Sequence, residues 1–128
     1  MHVLLDTHAL LWAIGAPDRL STAAHDALLQ PDHEIAFSTV CLWEIAIKLS
    51  LGRIELGPDW LAEIEQGRKN LAARWLSIEP AHCAPLATLP FHHRDPFDRM
   101  LVAQAMHEGM ALMSKDSTLA SYPVRILW

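Results

Sequence analysis

Apolar and polar positions follow two regimes along this chain: short unbroken apolar runs, and longer segments with apolar residues at helical spacing. "HVLLD" is an apolar run that ends at Asp6 and reads as a buried strand. "THALLWAIG" puts Leu10, Leu11 and Ile14 at helical spacing and stops at Gly15. "RLSTAAHDALLQP" predicts a second helix, with Ser21 as N-cap and Pro31 beyond its end. "EIAFS" reads as a second strand, and "TVCLWEIAIKLSLG" as a helix closed at Gly52. "PDWLAEIEQGRKNLAARW" carries Trp60, Leu61, Ile64, Leu71 and Ala72 on one broad face, which predicts a further amphipathic helix. "LSIEP" reads as a third strand, followed by a short helix in "AHCAPLATL". "DPFDRMLVAQAMHEG" is a helix closed by Gly109, "MALMS" a strand that delivers Lys115 and Asp116, and "VRILW" a weak last strand.

Short apolar strands alternating with helices imply an α/β fold. The expectation is a three-layer α/β/α sandwich with a mostly parallel sheet of four to five short strands. No repeat, low-complexity tract or long linker divides residues 1–128, so one domain is expected. In such sheets ligands meet the carboxyl ends of the strands. The residues just past each apolar run therefore matter most.

Composition sharpens this picture. With 52% hydrophobic and 20% charged residues, the 128-residue chain can bury a real core. "MHVLLDTHALLWAIGA" has no basic leader, and Asp6 and His8 interrupt its apolar stretch, so a signal peptide or membrane span is not expected. Cys41 and Cys83 sit in apolar contexts and are expected as buried free thiols in a reducing cytoplasm. The net charge of −5 disfavours broad electrostatic binding to nucleic acid. Any such binding must rest on local cations and must account for the excess acid.

Four carboxylates carry the candidate chemistry, and each also has an ordinary local role. Asp6 and Asp116 end strands and suit helix N-caps. Glu44 stands four residues before Lys48 in a favourable helical pair, yet its neighbours are almost all apolar, so it faces either a narrow solvent strip or a pocket. Asp95 and Pro96 fit N-cap and N1 of a helix, and Asp98 then stands at N3. Asp95 reads mainly as a cap, and Asp98 as the better site candidate. All four acids can converge at one edge of the sheet. Like charges brought together raise each other's pKa, and a divalent cation reverses that balance. Mg²⁺ and Mn²⁺ take hard oxygen ligands, and such ions serve phosphodiester hydrolysis.

Four segments in order, "LLDTHALLW", "CLWEIAIKLSLGRIEL", "HRDPFDRMLVAQA" and "LMSKD", span nearly the whole chain. Together they resemble the PIN-domain ribonucleases, and within them the VapC-type toxins of toxin–antitoxin pairs. The resemblance implies a PIN-like α/β/α fold and a site in which Asp6, Glu44, Asp98 and Asp116 hold one or two Mg²⁺ or Mn²⁺ ions. Asp95, Thr7, Ser114 and Arg99 fall at positions that support such a site. It also implies an RNA substrate, often transfer or ribosomal RNA, a homodimer, and inhibition by an antitoxin protein.

An RNA substrate would need cations for its phosphates. Arg94, Arg99 and Lys115 flank the proposed acids, and Lys48 lies one turn beyond Glu44; Arg53 reads as a surface charge. Eight histidines lack zinc-site spacing and are expected mostly at the surface, with His93 a secondary candidate for substrate contact. Trp12 is a candidate interface residue. Two rival readings remain: a protein-binding module that has lost catalysis, and a small-molecule phosphatase. The haloacid-dehalogenase type of phosphatase is disfavoured because "DTH" lacks a second Asp two residues after Asp6.

Overall fold

A computed structural model describes residues 1–128. Its frame is one parallel sheet of five strands: β1 (His2–Leu5), β2 (Glu34–Ser38), β3 (Arg74–Leu76), β4 (Ala111–Met113) and β5 (Ile126–Leu127). Their order is β3-β2-β1-β4-β5. The helices are α1 (Thr7–Gly15), α2 (Thr22–Leu29), α3 (Thr39–Ser50), α4 (Trp60–Asn70), α5 (Pro80–Cys83) and α6 (Pro96–Glu108). The path β1 to β2 to β3 steps one way across the sheet, and the chain then returns to place β4 on the other side of β1. Right-handed crossovers therefore put α1 to α4 on one face and α5 and α6 on the other. No helix is long and apolar enough to cross a membrane.

β1 is the central strand, covered on both faces, which is why it reads as an unbroken apolar run: Val3, Leu4 and Leu5 are wholly buried. Register then aligns the strand ends. Leu5 pairs with Phe37 on one side and Met113 on the other. The Asp6 amide extends the ladder by donating to the Met113 carbonyl at 3.0 Å. Three neighbouring strands thus finish level, and Asp6, Ser38 and Ser114 emerge side by side. The reversal of strand order at β1 and β4 opens a crevice between their carboxyl ends.

A buried polar chain ties the two helical layers together. Ser38 caps α3 by accepting from the Val40 amide (3.1 Å) and donates its hydroxyl to Gln104 Oε1 on α6 (2.7 Å). Gln104 Nε2 in turn donates to the Ser77 carbonyl beyond β3. Elsewhere α4 lies so close to α1 that a Cβ on Gly67 would stand 2.5 Å from Ile14 Cγ1.

Several expectations change. The helix expected over residues 58–75 ends at Asn70, and Ala72 turns the chain with a φ of 51°. The third strand is Arg74–Leu76, so it ends where "LSIEP" begins. Leu71 and Ala72 fit the helical face begun by Trp60, Leu61 and Ile64, although they belong to the turn. Leu61 is exposed, and Ile64 is the residue of α4 that is buried. Both cysteines are free, but only Cys41 is buried; Cys83 is exposed. His82 is also buried rather than at the surface. Its Nδ1 accepts from the Glu79 amide at 2.9 Å, and its Nε2 faces Glu108 Oε1 at 2.9 Å.

Candidate active site

The crevice between β1 and β4 opens into a pocket of about 370 Å³, whose walls include Asp6, Glu44, Asp95, Asp98 and Asp116 together with Thr7, Lys48 and Lys115. The acids arrive from four elements, with Asp95 and Asp98 sharing the start of α6. Asp6 leaves β1 and caps α1, its Oδ1 accepting from the Ala9 amide at 2.8 Å. Glu44 projects from α3, and Asp98 from the first turn of α6. Asp116 follows β4 and caps the 3₁₀ turn Ser117–Ser121.

The local roles and the shared pocket coexist. Glu44 is only 4% exposed. It accepts from Thr7 Oγ1 at 2.7 Å through Oε1, and from Lys48 Nζ in a short ion pair through Oε2. Asp95 caps α6: one of its oxygens accepts from the Phe97 and Asp98 amides at 2.8 and 3.2 Å. Asp116 Oδ1 accepts from both the amide and the hydroxyl of Thr118, at 3.0 and 2.6 Å. The Ser114 hydroxyl is fully buried and accepts from the Asp116 amide at 3.0 Å.

Electrostatics differ from acid to acid. Burial raises the Asp6 pKa, opposed by hydrogen bonds from Ser114 and Ala9. Asp98 is pushed up to about 7, by burial first and then by the charges of Asp95 and Asp6. No protein group makes a hydrogen bond to the Asp98 carboxylate within ordinary distance; His93 Nε2 is its nearest partner, at 3.4 Å. Asp116 is held below the usual range, chiefly by the Thr118 hydroxyl. The pocket thus gathers acid faster than the protein neutralises it. Its donors are hard oxygens, which suit Mg²⁺ or Mn²⁺ better than zinc.

The cationic residues separate. Lys115 lines the pocket, with its ammonium 5.9 Å from the centre of the Trp12 ring. Trp12 is half-buried, packs against Trp128 and forms part of the same wall. Arg94 is exposed and lies outside the pocket lining. Arg99 departs from the expectation of a substrate contact. It is 6% exposed, and its guanidinium donates to the carbonyls of Leu89 and Pro90 at 3.0 and 2.8 Å and to Tyr122 Oη at 3.2 Å. The exposed Phe91 ring covers it at 3.9 Å. Its donors are committed to holding residues 89–93, not turned toward a phosphate.

His93 and Lys48 both stand directly against the acids, closer than their sequence positions suggest. His93 Nε2 stands 2.9 Å from Asp116 Oδ2. The only signal for it was its place two residues before the cap of α6.

A family model described as PIN domain matches residues 3–124. Over 121 residues the chain is 34% identical to Ribonuclease VapC22 of Mycobacterium tuberculosis, covering 94% of this chain and 91% of that protein. Among solved structures, VapBC2 from Rickettsia felis, in a crystal with a DNA fragment from its promoter, superposes with a TM-score of 0.66 at 15% identity, covering 98% of this chain and 97% of that one. FitAcB from Neisseria gonorrhoeae does so with a TM-score of 0.65 at 20% identity, covering 97% and 95%. At these identities the structural likenesses concern the fold.

Proposed function

Because the chain belongs to the PIN domain family, we propose that it is an endoribonuclease that hydrolyses RNA phosphodiester bonds with a bound divalent cation. The observation that carries this reading is the convergence of Asp6, Glu44, Asp98 and Asp116 on one pocket. Buried carboxylates at this density need a counter-charge, and the lysines at hand are too few. These four residues would hold Mg²⁺ or Mn²⁺, as one or two ions, directly or through water. Such a cation, when bound, supplies an activated water and charge for the leaving oxygen.

The chain's own residues do the rest. Thr7 and Lys48 fix both oxygens of Glu44. Ser114 pins the backbone at Asp116, and Asp95 starts the helix that presents Asp98. Lys115 is the pocket cation with no carboxylate partner, and it meets the RNA backbone. Local cations of this kind let a chain of net charge −5 engage a polyanion.

By the same inference the protein is the toxin of a toxin–antitoxin pair, acting in the cytoplasm on transfer or ribosomal RNA. Exposed Trp43, Leu51, Leu56 and Leu61 leave apolar surface for an antitoxin and for a second copy of the chain. Light scattering of the purified protein tests the homodimer.

The activity is tested by incubating the protein with total RNA and Mg²⁺ or Mn²⁺, with and without EDTA. Cleavage that EDTA stops and Asp6→Asn abolishes is expected. Equal cleavage by wild type and Asp6→Asn overturns the site. No cleavage with any metal or RNA pool leaves the binding-module reading in its place.

A further inference from the structure

We propose that His93 is a positioning residue of the acid pocket: a neutral ring that fixes the Asp116 carboxylate by donating a hydrogen bond to it, and that stays outside the coordination sphere of the cation. The inference rests on the metal-dependent reading above. It decides between two roles that look alike from distances alone.

His93 Nε2 and one oxygen each from Asp98 and Asp116 lie within 4.8 Å of one another, the spacing of a three-ligand metal site. Taken alone, that spacing makes His93 a ligand. The other ring nitrogen argues otherwise. Nδ1 accepts a hydrogen bond from the Asp95 backbone amide at 3.0 Å. An acceptor nitrogen carries no proton, so the proton of the neutral ring sits on Nε2. Nε2 is then a donor without a free lone pair, and it points to Asp116 Oδ2 at 2.9 Å in preference to Asp98 Oδ2 at 3.4 Å. For Nε2 to bind a metal, its proton would have to move to Nδ1. That would set N–H against the Asp95 N–H at the very start of α6.

The same contacts define what Asp116 has to offer. Oδ1 accepts twice from Thr118 and is saturated. Oδ2 accepts once from His93, which leaves one lone pair on a side chain that lines the pocket. His93 also holds the segment that carries Asp116 from both ends. Its ring bonds to Asp116, where the 3₁₀ turn begins, and its backbone amide donates to Tyr122 Oη at 3.1 Å, where the turn ends. Tyr122 Oη donates in turn to the Pro90 carbonyl at 2.7 Å, alongside Arg99. The buried Arg99 guanidinium thereby supports the loop that aims His93. Partners of this kind, behind a ligating group, change metal affinity by about 10–100-fold when removed.

Pulsed electron paramagnetic resonance of the Mn²⁺-loaded protein separates the two roles without any RNA. No ¹⁴N coupling from a coordinated imidazole is expected in the wild type. In Mn²⁺ titrations, His93→Ala is expected to bind about tenfold more weakly. His93→Gln should recover most of that loss, because a side-chain amide can also donate to Asp116. A direct ¹⁴N coupling that disappears in His93→Ala overturns the proposal. So does Mn²⁺ affinity in His93→Ala equal to wild type, or a Gln variant no better than Ala. Wild-type protein that binds no Mn²⁺ at all removes the metal-dependent reading itself, and the proposal with it; that outcome is distinct from losses confined to the variants.

Discussion

Thr7 and Glu44 stand 37 positions apart, yet Thr7 Oγ1 donates to Glu44 Oε1 at 2.7 Å with both residues buried. The bond joins the residue after Asp6 to the middle of α3, so it sets the separation of two acids from two different elements. Replacing a buried donor to a charged group leaves that group unsatisfied, at a cost of about 1.5–3 kcal/mol. Thr7→Val keeps the side-chain volume and removes the donor. Mn²⁺ affinity and RNA cleavage are both expected to fall about tenfold or more, while Thr7→Ser stays near wild type. Metal titration and initial cleavage rates on the three proteins check this.

Asp98 makes the metal-free protein sensitive to pH in a definite direction. Its pKa rises on folding from 3.8 to about 7, so the folded state holds this proton more tightly than the unfolded state. Its contribution to stability is therefore full at the acid end and is lost as pH climbs toward 7. Asp116, Glu65 and Glu108 shift the other way, so their contributions are complete once the pH exceeds ordinary carboxylate values. Between about pH 5 and 7 the Asp98 slope is expected to show in melts taken with EDTA. Burial raises Asp6 in the same direction, so Asp98→Asn should reduce the slope without removing it. Added Mg²⁺ should raise the melting temperature more at the alkaline end than at the acid end. A slope unchanged in Asp98→Asn would refute the assignment.

Arg99→Lys keeps the charge but loses the planar fork that spans Leu89, Pro90 and Tyr122. Destabilisation of about 3 kcal/mol is expected, since several charge-assisted bonds are lost from a buried position. Urea unfolding measures that figure. Limited proteolysis should also show earlier cutting near residues 89–94 than in the wild type.

Gln104→Leu breaks the chain from Ser38 to Ser77. The Ser38 hydroxyl loses its acceptor, and a loss of about 2 kcal/mol is expected in urea unfolding. Paired with Ser38→Ala, the two effects should fall short of their sum by about 1 kcal/mol, because they share one bond. Full additivity would mean that the two side chains act separately.

The sequence carried the positions of the acids well, because each position is tied to an element boundary. Asp6 ends an apolar run, Asp95 with Pro96 starts a helix, and Asp116 comes after another run. Level strand ends then bring them together, and the parallel order that levels them is implied by the alternation of strands and helices. Glu44 was legible as an acid on a nearly all-apolar helix. Arg99 was misleading. One residue past Asp98, it stands next to the acids in the chain but a different way round the helix, so it faces the 89–93 loop. His93 was hidden for another reason: its role depends on which ring nitrogen the Asp95 amide occupies, and no spacing rule encodes that. The β3 boundary differs because Leu71 and Ala72 fit the helical face begun by Trp60, Leu61 and Ile64, whereas Ala72 in fact turns the chain.

The placement of β4 beside β1 also bears on how this protein is made. Until residues 111–113 leave the ribosome, one edge of the central strand has no partner, and Asp6 has no ladder bond to hold it. A nascent chain that already contains Asp6, Glu44 and Asp98 therefore lacks the scaffold that gathers them. The acid pocket is thus complete only once β4 has taken its place beside β1.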